Sequence, residues 1–125
     1  MGIIDDYNKR REKGNIRISG ENFLPINRFL SLDGKAYEDG AIPAKYKELM
    51  GLCGSVVLRC NDCITYHIIH SAEQGCSRSE IIEALNIGLV IGGSVVIPHL
   101  RYALEVMEEI SVLNKSDDNS NNQDV

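Results

Sequence analysis

The chain has 125 residues, of which 43% are hydrophobic, so it can form one domain around a single packed core. Its net charge of −5 argues against the basic stripe that a nucleic-acid-binding surface requires. The sequence contains no run of about 18 apolar residues, and we therefore expect no membrane-spanning helix.

The first residues and the cysteine content indicate in which cellular compartment the protein works. Met1 to Lys13 is polar and charged rather than an apolar secretory signal, so we expect a cytoplasmic protein. In a reducing compartment, four cysteines are not expected to form a structural disulfide framework. A close cysteine pair is there more typical of metal binding or redox chemistry.

Two helices are predicted in the first third of the chain. A short helix is expected from Asp5 to Lys13 and is expected to end at Gly14. A second helix is predicted within Asn22–Glu38, a segment rich in large apolar side chains. Asp39-Gly40 then breaks the pattern.

Two further helices are predicted on either side of residue 60. From Ala44, apolar residues recur at three- and four-residue steps, which predicts a helix that ends near residues 58–60. Asn61 and Asp62 are favourable N-terminal capping types, so the next helix is expected to begin there and to stop at Gly75.

The last two predicted helices follow a clear start signal. Ser77 and Glu80 match a capping box at the start of a helix predicted over Arg78–Ile91. Most faces of that helix are apolar, so we expect another subunit to cover part of it. Gly92-Gly93 separates it from a final helix predicted over Val95–Leu113.

These elements predict an all-α fold, because no segment shows the sustained alternation of a strand. The predicted organisation has three parts: a polar N-terminal segment (1–20), a helical domain (21–113) and a disordered tail (114–125). The tail is assigned from its composition, which is almost entirely polar.

The segment that indicates chemistry is Cys60-Asn61-Asp62-Cys63, at the predicted start of a helix. Two thiols one turn apart can close a disulfide with little movement of the backbone. A helix N-terminus favours a thiolate because its dipole stabilises negative charge. His67 lies four residues after Cys63, on the same helical face, where it can take up or return a proton.

Two other interpretations of this segment compete with redox chemistry. A zinc site would add His70, but Cys60 and His70 are about 15 Å apart along a helix, too far for one metal ion. No second Cys/His pair is available to complete such a site. The remaining alternative is that these are buried core cysteines, which are common in proteins.

The Cys-x-x-Cys-x-x-x-His pattern resembles the redox branch of the carboxymuconolactone decarboxylase and alkylhydroperoxidase AhpD-like family. Cys60, Cys63 and His67 match that pattern, and Glu48 stands where the family's glutamate is expected. The resemblance covers Phe23 to Ile110. It implies an AhpD-like helical bundle, a homo-oligomer (trimer or hexamer), a peroxidase with a reducible disulfide, and an external dithiol reductant such as a dithiol protein or a lipoyl group.

Helix geometry gives an independent reason to consider Glu48. If the helices on either side of residues 58–61 pack antiparallel, Glu48 and His67 lie at similar levels, about 15 and 10 Å from the turn. A carboxylate there would orient the imidazole and raise its basicity. The alternative is that Glu48 is a solvated surface residue paired with Lys45.

The sequence departs from the family pattern between the cysteines. Well-known peroxidases of the family carry a histidine there, whereas this chain has Asn61 and Asp62. Because the Asp62 carboxylate opposes thiolate formation, peroxidase activity is expected to be weak or the substrate to be a disulfide. In either case the predicted mechanism requires no organic cofactor and no metal.

Two other functions remain open from the sequence. One is a lyase acting on a small lactone, with His67 and Glu48 as the acid–base pair, although the true decarboxylases of the family lack the cysteine pair. The other is a non-catalytic oligomeric binding module.

Three further residues could belong to the site. Cys53 is expected in the core, and Cys76 is expected to have no part in the chemistry. His99 could approach the site from a neighbouring subunit.

Overall fold

A computed structural model describes residues 2–114 of the chain. Within this range the chain forms six α-helices and two short 3₁₀ turns, Ser94–Val96 and Ser111–Asn114. The helices are α1 (Ile3–Gly20), α2 (Leu24–Ala36), α3 (Ala44–Val57), α4 (Asn61–Glu73), α5 (Arg78–Gly92) and α6 (Ile97–Glu108). No strand occurs in this part of the chain, and the prediction of an all-α fold is confirmed.

The core lies between α3, α4, α5 and α6, and α3 makes its most extensive contacts with α4 and α5. Its fully buried members are mostly aliphatic side chains, including Leu52, Val56, Ile64, Ile68, Ile81, Leu85, Val106 and Met107. Gly88 permits the close approach of α5 to α3, because a Cβ at this position would collide with the side chain of Val56. The packing of α4 against α3 brings the predicted site residues together.

The start of α5 follows the predicted capping chemistry. Helix α4 begins at Asn61 as predicted, but its N-cap is Cys60 and not Asn61 or Asp62, the predicted capping types. The capping box of α5 is present: the Glu80 N–H donates to Ser77 Oγ at 3.1 Å, and the Ser77 N–H donates to Glu80 Oε1 at 2.9 Å. The backbone hydrogen bond from Ser77 lowers the pKa of the Glu80 carboxyl. Gly93, with φ 80°, ends α5 where the Gly92-Gly93 break was predicted.

The first helix is longer than its sequence predicts. Gly14 was expected to end it, but α1 continues to Gly20, and the chain turns only at Asn22 with φ 52°. A glycine inside a helix costs only about 1 kcal/mol relative to alanine, which tertiary contacts can offset. Here the Ile3 and Ile4 N–H groups donate to the Glu109 carboxylate at 2.8 and 2.9 Å, and Tyr7 is buried.

The last predicted helix is shorter than expected. Val95–Leu113 was predicted as one helix, but residues 94–96 form a 3₁₀ turn, α6 spans Ile97–Glu108, and a second turn follows. Pro98 lies in the first turn of α6, where its missing N–H leaves no intrahelical bond unmade. The predicted tail, 114–125, lies outside the described residues except for Asn114, and the proposed domain boundaries stay predictions.

Two apolar surfaces remain on the outside of the chain. Helix α2 has no buried residue, and its large apolar side chains are all substantially exposed: Leu24, Ile26, Phe29, Leu30 and Leu32. Helix α5 buries Ile81, Leu85 and Gly88 but exposes Ile87, Val90 and Ile91. None of the described helices combines the length and the apolar character needed to cross a bilayer.

Candidate functional site

The dithiol lies at the N-terminus of α4, directly after a sharp turn of the backbone. Arg59 has φ 59°, and this left-handed residue redirects the chain between α3 and α4. Cys60 is the N-cap of α4, and its Sγ accepts a hydrogen bond from the Cys63 N–H at 3.2 Å. The two cysteines form a disulfide, with their Cα atoms 5.2 Å apart. Cys63 is exposed, whereas Cys60 is half-buried.

His67 lies one turn further along α4, where it is buried and paired with Glu48 of α3. Its Nδ1 lies 2.8 Å from Glu48 Oε1, and the two side chains are only 11% and 9% exposed. Glu48 is therefore not a solvated surface residue, and Lys45 pairs instead with Glu80 at 3.2 Å. A carboxylate oxygen accepts, so the contact places a proton on Nδ1, and Nε2 is the nitrogen left to gain or lose a proton.

A tyrosine that the sequence did not single out completes the surroundings of His67. The Tyr37 hydroxyl, from the C-cap of α2, lies 3.5 Å from His67 Nε2, and the two ring centroids are 5.2 Å apart. Burial, followed by the nearby Glu48 carboxylate, raises the pKa of the Tyr37 hydroxyl. No local pattern indicates this contact, because it joins residues that are 30 positions apart.

Two cavities meet at Cys63 and His67. One, of about 470 Å³, extends under α1 and is lined by polar and aromatic groups that include Arg10, Arg11 and Tyr66. The other, of about 650 Å³, lies between α2 and α3 and is more apolar, with Ile42, Met50 and Leu58 among its walls. A reactant can therefore approach the exposed thiol of Cys63 from either side.

The residues between the cysteines are held by other helices. Asp62 accepts a hydrogen bond from Arg10 of α1 at 2.6 Å, so its negative charge beside the thiols is paired. Asn61 Oδ1 lies 2.8 Å from His99 Nδ1 of α6. The sequence suggests that His99 could reach the site from a neighbouring subunit. In the structure, His99 contacts Asn61 of its own chain.

The aromatic face of the site is formed by Tyr66. Its ring packs edge-on against His67, with the centroids 5.1 Å apart, and lies 4.1 Å from the ring of His70. The Arg11 guanidinium lies 5.1 Å from the centroid of the Tyr66 ring, within the range of a cation–π interaction. Burial raises the pKa of the Tyr66 hydroxyl, so this side chain stays neutral at physiological pH.

Cys53 and Cys76 lie away from these contacts, and His70 touches the site only through the ring of Tyr66. Cys76 is buried and Cys53 half-buried, and burial raises the pKa of both thiols. Both environments disfavour a reactive thiolate. His70 pairs with Glu73 at 3.1 Å on the outer part of α4. Across residues 2–114, no group of three or more His, Cys, Asp or Glu side chains is arranged to hold a metal ion.

Comparison with known proteins identifies the family. A family model described as the carboxymuconolactone decarboxylase family matches residues 26–109, more than half of the chain. The chain belongs to the carboxymuconolactone decarboxylase family. The assignment made from the Cys-x-x-Cys-x-x-x-His pattern is thereby confirmed.

Solved structures of this family have the same fold. One crystal structure of a Thermotoga maritima protein is 45% identical, with a TM-score of 0.82, and covers 85% of this chain and 93% of that chain. A second structure of that protein is 52% identical over 71% of this chain and 92% of that chain, with a TM-score of 0.70. It is described as a carboxymuconolactone decarboxylase family protein "possibly involved in antioxidative response".

A third structure extends the likeness to lower sequence identity. A carboxymuconolactone decarboxylase family protein from Legionella pneumophila is 28% identical, with a TM-score of 0.80, and covers 86% of this chain and 96% of that chain. High structural similarity at this identity means that the arrangement of helices is a property of the family. The chemistry of this member has to be argued from its own site.

Proposed function

We propose that this family member is a thiol–disulfide oxidoreductase, an alkylhydroperoxidase-like peroxidase that reduces a peroxide or a disulfide through Cys60 and Cys63. One observation carries the proposal: a disulfide at a helix N-terminus shares a cavity wall with a histidine held by a buried glutamate. The Thermotoga relative described in connection with antioxidative response is consistent with this chemistry.

Cys63 is the thiol that we expect to meet the substrate, because it is exposed and lines both cavities, whereas Cys60 is half-buried. Its thiolate attacks the terminal oxygen of a hydroperoxide, the O–O bond breaks, and the alkoxide leaves. The sulfur is oxidised to a sulfenic acid, and the alkoxide takes up a proton to give an alcohol.

Cys60 then resolves the sulfenic acid. Its sulfur attacks Cys63, a disulfide forms, and the sulfenic hydroxide takes up one proton and leaves as water. The helix N-terminus favours the thiolate form of Cys60, because Sγ already lies at the N-cap and accepts the Cys63 N–H. With a disulfide substrate, the Cys63 thiolate forms a mixed disulfide and a first thiolate leaves. Cys60 then attacks Cys63, the second thiolate leaves, and the Cys60–Cys63 disulfide closes.

Turnover requires an external dithiol reductant. Its two thiols reduce the Cys60–Cys63 disulfide by two exchange steps, and the reductant itself becomes a disulfide. His67 acts as the proton carrier in both half-reactions, and the Glu48 carboxylate stabilises the imidazolium that forms transiently. The scheme requires neither a metal ion nor an organic cofactor.

The protein is further proposed to act as a homo-oligomer, a trimer or a hexamer. The exposed apolar side chains of α2 and α5 support this assembly, because contiguous apolar surfaces on soluble domains usually mark interfaces. Light scattering during size-exclusion chromatography tests it. Phe29→Glu, in the middle of α2, is expected to yield a smaller species, and an unchanged mass would exclude α2 from the interface.

Two measurements test the redox proposal itself. A glutathione redox titration with thiol trapping and mass spectrometry should find a reversible two-electron transition that links Cys60 and Cys63, at about −120 to −270 mV. A coupled assay with a small dithiol should then detect peroxide reduction that is lost in Cys60→Ser. Activity on a lactone that survives Cys60→Ser would instead support a lyase, and no disulfide at any potential would exclude the redox mechanism.

A further inference from the structure

The two ring nitrogens of His67 have different partners. Nδ1 lies 2.8 Å from the Glu48 carboxylate, and Nε2 lies 3.5 Å from the Tyr37 hydroxyl. With its proton on Nδ1, the imidazole leaves Nε2 as the nitrogen that exchanges protons with a reactant. The Tyr37 hydroxyl occupies that position. A separation of 3.5 Å is long for a ground-state hydrogen bond, but catalytic contacts are often long before substrate binds.

Helix α3 is shaped to hold both rings together. A Cβ at Gly51 would lie 2.6 Å from His67 Cε1 and 2.6 Å from the Tyr37 hydroxyl oxygen. Glycine at this position therefore makes room for the contact between the two side chains. Gly51 lies one turn after Glu48, so one face of α3 supports the carboxylate, the imidazole and the phenol.

The C-terminal end of α2, next to Tyr37, is hydrogen-bonded to α3. Lys47 Nζ of α3 donates to the backbone carbonyl of Ala36 at 3.0 Å and to that of Glu38 at 2.8 Å. These two bonds hold the chain on both sides of Tyr37. The position of the hydroxyl is thus fixed from α3, although α2 itself buries no residue.

The surroundings of Tyr37 keep its hydroxyl protonated. It is half-buried, and the charged groups that act on it most strongly are the carboxylates of Glu48 and Asp33. Burial and these negative charges both raise the pKa of the phenol, so it is a hydrogen-bond donor at neutral pH. The cavity between α2 and α3 is lined by Tyr37 together with Cys63 and His67.

We propose that Tyr37 completes a proton relay with Glu48 and His67, a role that rests on the peroxidase or disulfide reductase function proposed above. His67 Nε2 takes the proton of the Cys63 thiol, and the thiolate displaces an alkoxide or a thiolate from the substrate. The imidazolium returns that proton to the Tyr37 oxygen while the Tyr37 hydroxyl proton passes to the leaving group. Protons balance, and the phenol and the imidazole end as they began.

Tyr37→Phe tests the relay, because it removes one hydroxyl and keeps the ring. With hydrogen peroxide, cumene hydroperoxide and a small-molecule disulfide as substrates, we expect kcat/KM to fall about 100-fold, the low end for a positioned acid–base group. Small acids such as imidazolium buffers should restore part of the rate in Tyr37→Phe and have little effect on the wild type. Tyr46→Phe is the matched control, because Tyr46 lies on α3 and lines neither cavity.

The possible results distinguish a failure of the Tyr37 relay from a failure of the proposed peroxidase or disulfide reductase function. A purely structural effect would lower the rate without rescue by buffer acids, and it would overturn the relay. A Tyr37→Phe variant with wild-type kcat/KM and an unchanged pH profile would overturn it as well. If the wild type reduces neither substrate class while its Cys60–Cys63 pair still titrates reversibly, the proposed turnover fails and the relay fails with it.

Discussion

His67 Nδ1 lies 2.8 Å from Glu48 Oε1, and this buried contact joins α4 to α3 directly below the disulfide. The carboxylate fixes which imidazole nitrogen faces the cavities. It also provides a negative charge that stabilises the imidazolium whenever His67 accepts a proton. The pair is therefore expected to matter more for proton transfer than for the redox state of the cysteines.

Glu48→Gln separates those two effects, because glutamine keeps the shape of the side chain and removes its charge. We expect the turnover of peroxide or disulfide to fall about 100-fold, since the imidazolium loses its counterion. The reduction potential of the Cys60–Cys63 pair should change little. Stopped-flow kinetics and a redox titration measure the two quantities.

The control for this substitution is Glu73→Gln, which removes the exposed carboxylate beside the half-buried His70. It should leave turnover at the wild-type level. Equal losses in Glu48→Gln and Glu73→Gln would mean that general charge effects, rather than the buried pair, control the rate.

The order of the two cysteines is tested by single replacements. In Cys60→Ser, one equivalent of peroxide should leave a sulfenic acid on Cys63, because the resolving thiol is missing. Dimedone labelling and mass spectrometry detect this species. In Cys63→Ser we expect no comparable labelling of Cys60, whose thiol is half-buried. The reverse pattern of labelling would make Cys60 the attacking thiol.

Local sequence signals predicted most of the fold. Apolar spacing, the Ser77–Glu80 capping box and the Gly92-Gly93 break placed the four core helices, because each signal acts within a few residues. The extension of α1 past Gly14 was missed because the prediction ended the helix at this glycine, although glycine inside a helix costs only about 1 kcal/mol. The cap on the first turn of α1 could not be predicted either, since the Glu109 carboxylate lies more than 100 residues away. Propensity alone cannot report a contact of that range.

Some residues of the candidate site could also be predicted from the sequence, and others could not. Cys60, Cys63 and His67 lie at the start of one helix, so spacing sufficed to group them. Glu48 was indicated by the family resemblance, and the assumption of two antiparallel helices supported it. Tyr37 did not follow, because α2 carries no periodic signal that indicates which of its residues reaches the imidazole. The catalytic roles of all of these residues remain predictions.

The ion pair between Arg10 and Asp62 gives a prediction about thiol reactivity. The pair is 2.6 Å long, and its side chains are 59% and 61% exposed. Arg10→Gln leaves the Asp62 carboxylate unpaired between the cysteines, so the reduced protein should react more slowly with iodoacetamide. Because exposed pairs contribute about 0.2–1 kcal/mol, the expected decrease in rate is about 1.4- to five-fold at low salt.

Salt provides the internal check on that interpretation. The difference between Arg10→Gln and the wild type should shrink at about 1 M salt, where the Debye length is about 3 Å. Lys9→Gln, which removes the partner of Asp5 on the same helix, should react at the wild-type rate. A slower rate that persists at high salt would indicate a change in local structure instead.

The Glu109 carboxylate gives a prediction for stability against pH. The backbone N–H groups of Ile4 and Ile3 lower its pKa below the ordinary value of 4.5. Because the pKa in the folded state is below that in the unfolded state, the stabilisation is present above about pH 4.5 and is lost as the pH falls through the lowered value. Arg10 and Tyr7 of α1 line the cavity beneath this helix, so the docking of α1 affects the walls of that cavity.

Glu109→Gln should therefore lower the free energy of unfolding at pH 7 by about 0.5–1 kcal/mol, the lower part of the range for a lost helix cap, since the carboxylate is screened by solvent. The difference from the wild type should shrink as the pH falls below about 4.5 and the wild-type carboxyl takes up its proton. Urea unfolding over a series of pH values measures it, and hydrogen exchange should show faster opening of the first turn of α1. Glu108→Gln is the control, because the α1 amides Ile3 and Ile4 donate to Glu109 and not to its neighbour. An equal loss in the two variants, or a difference that does not shrink as the pH falls, would assign the effect to the C-terminus of α6 rather than to the cap.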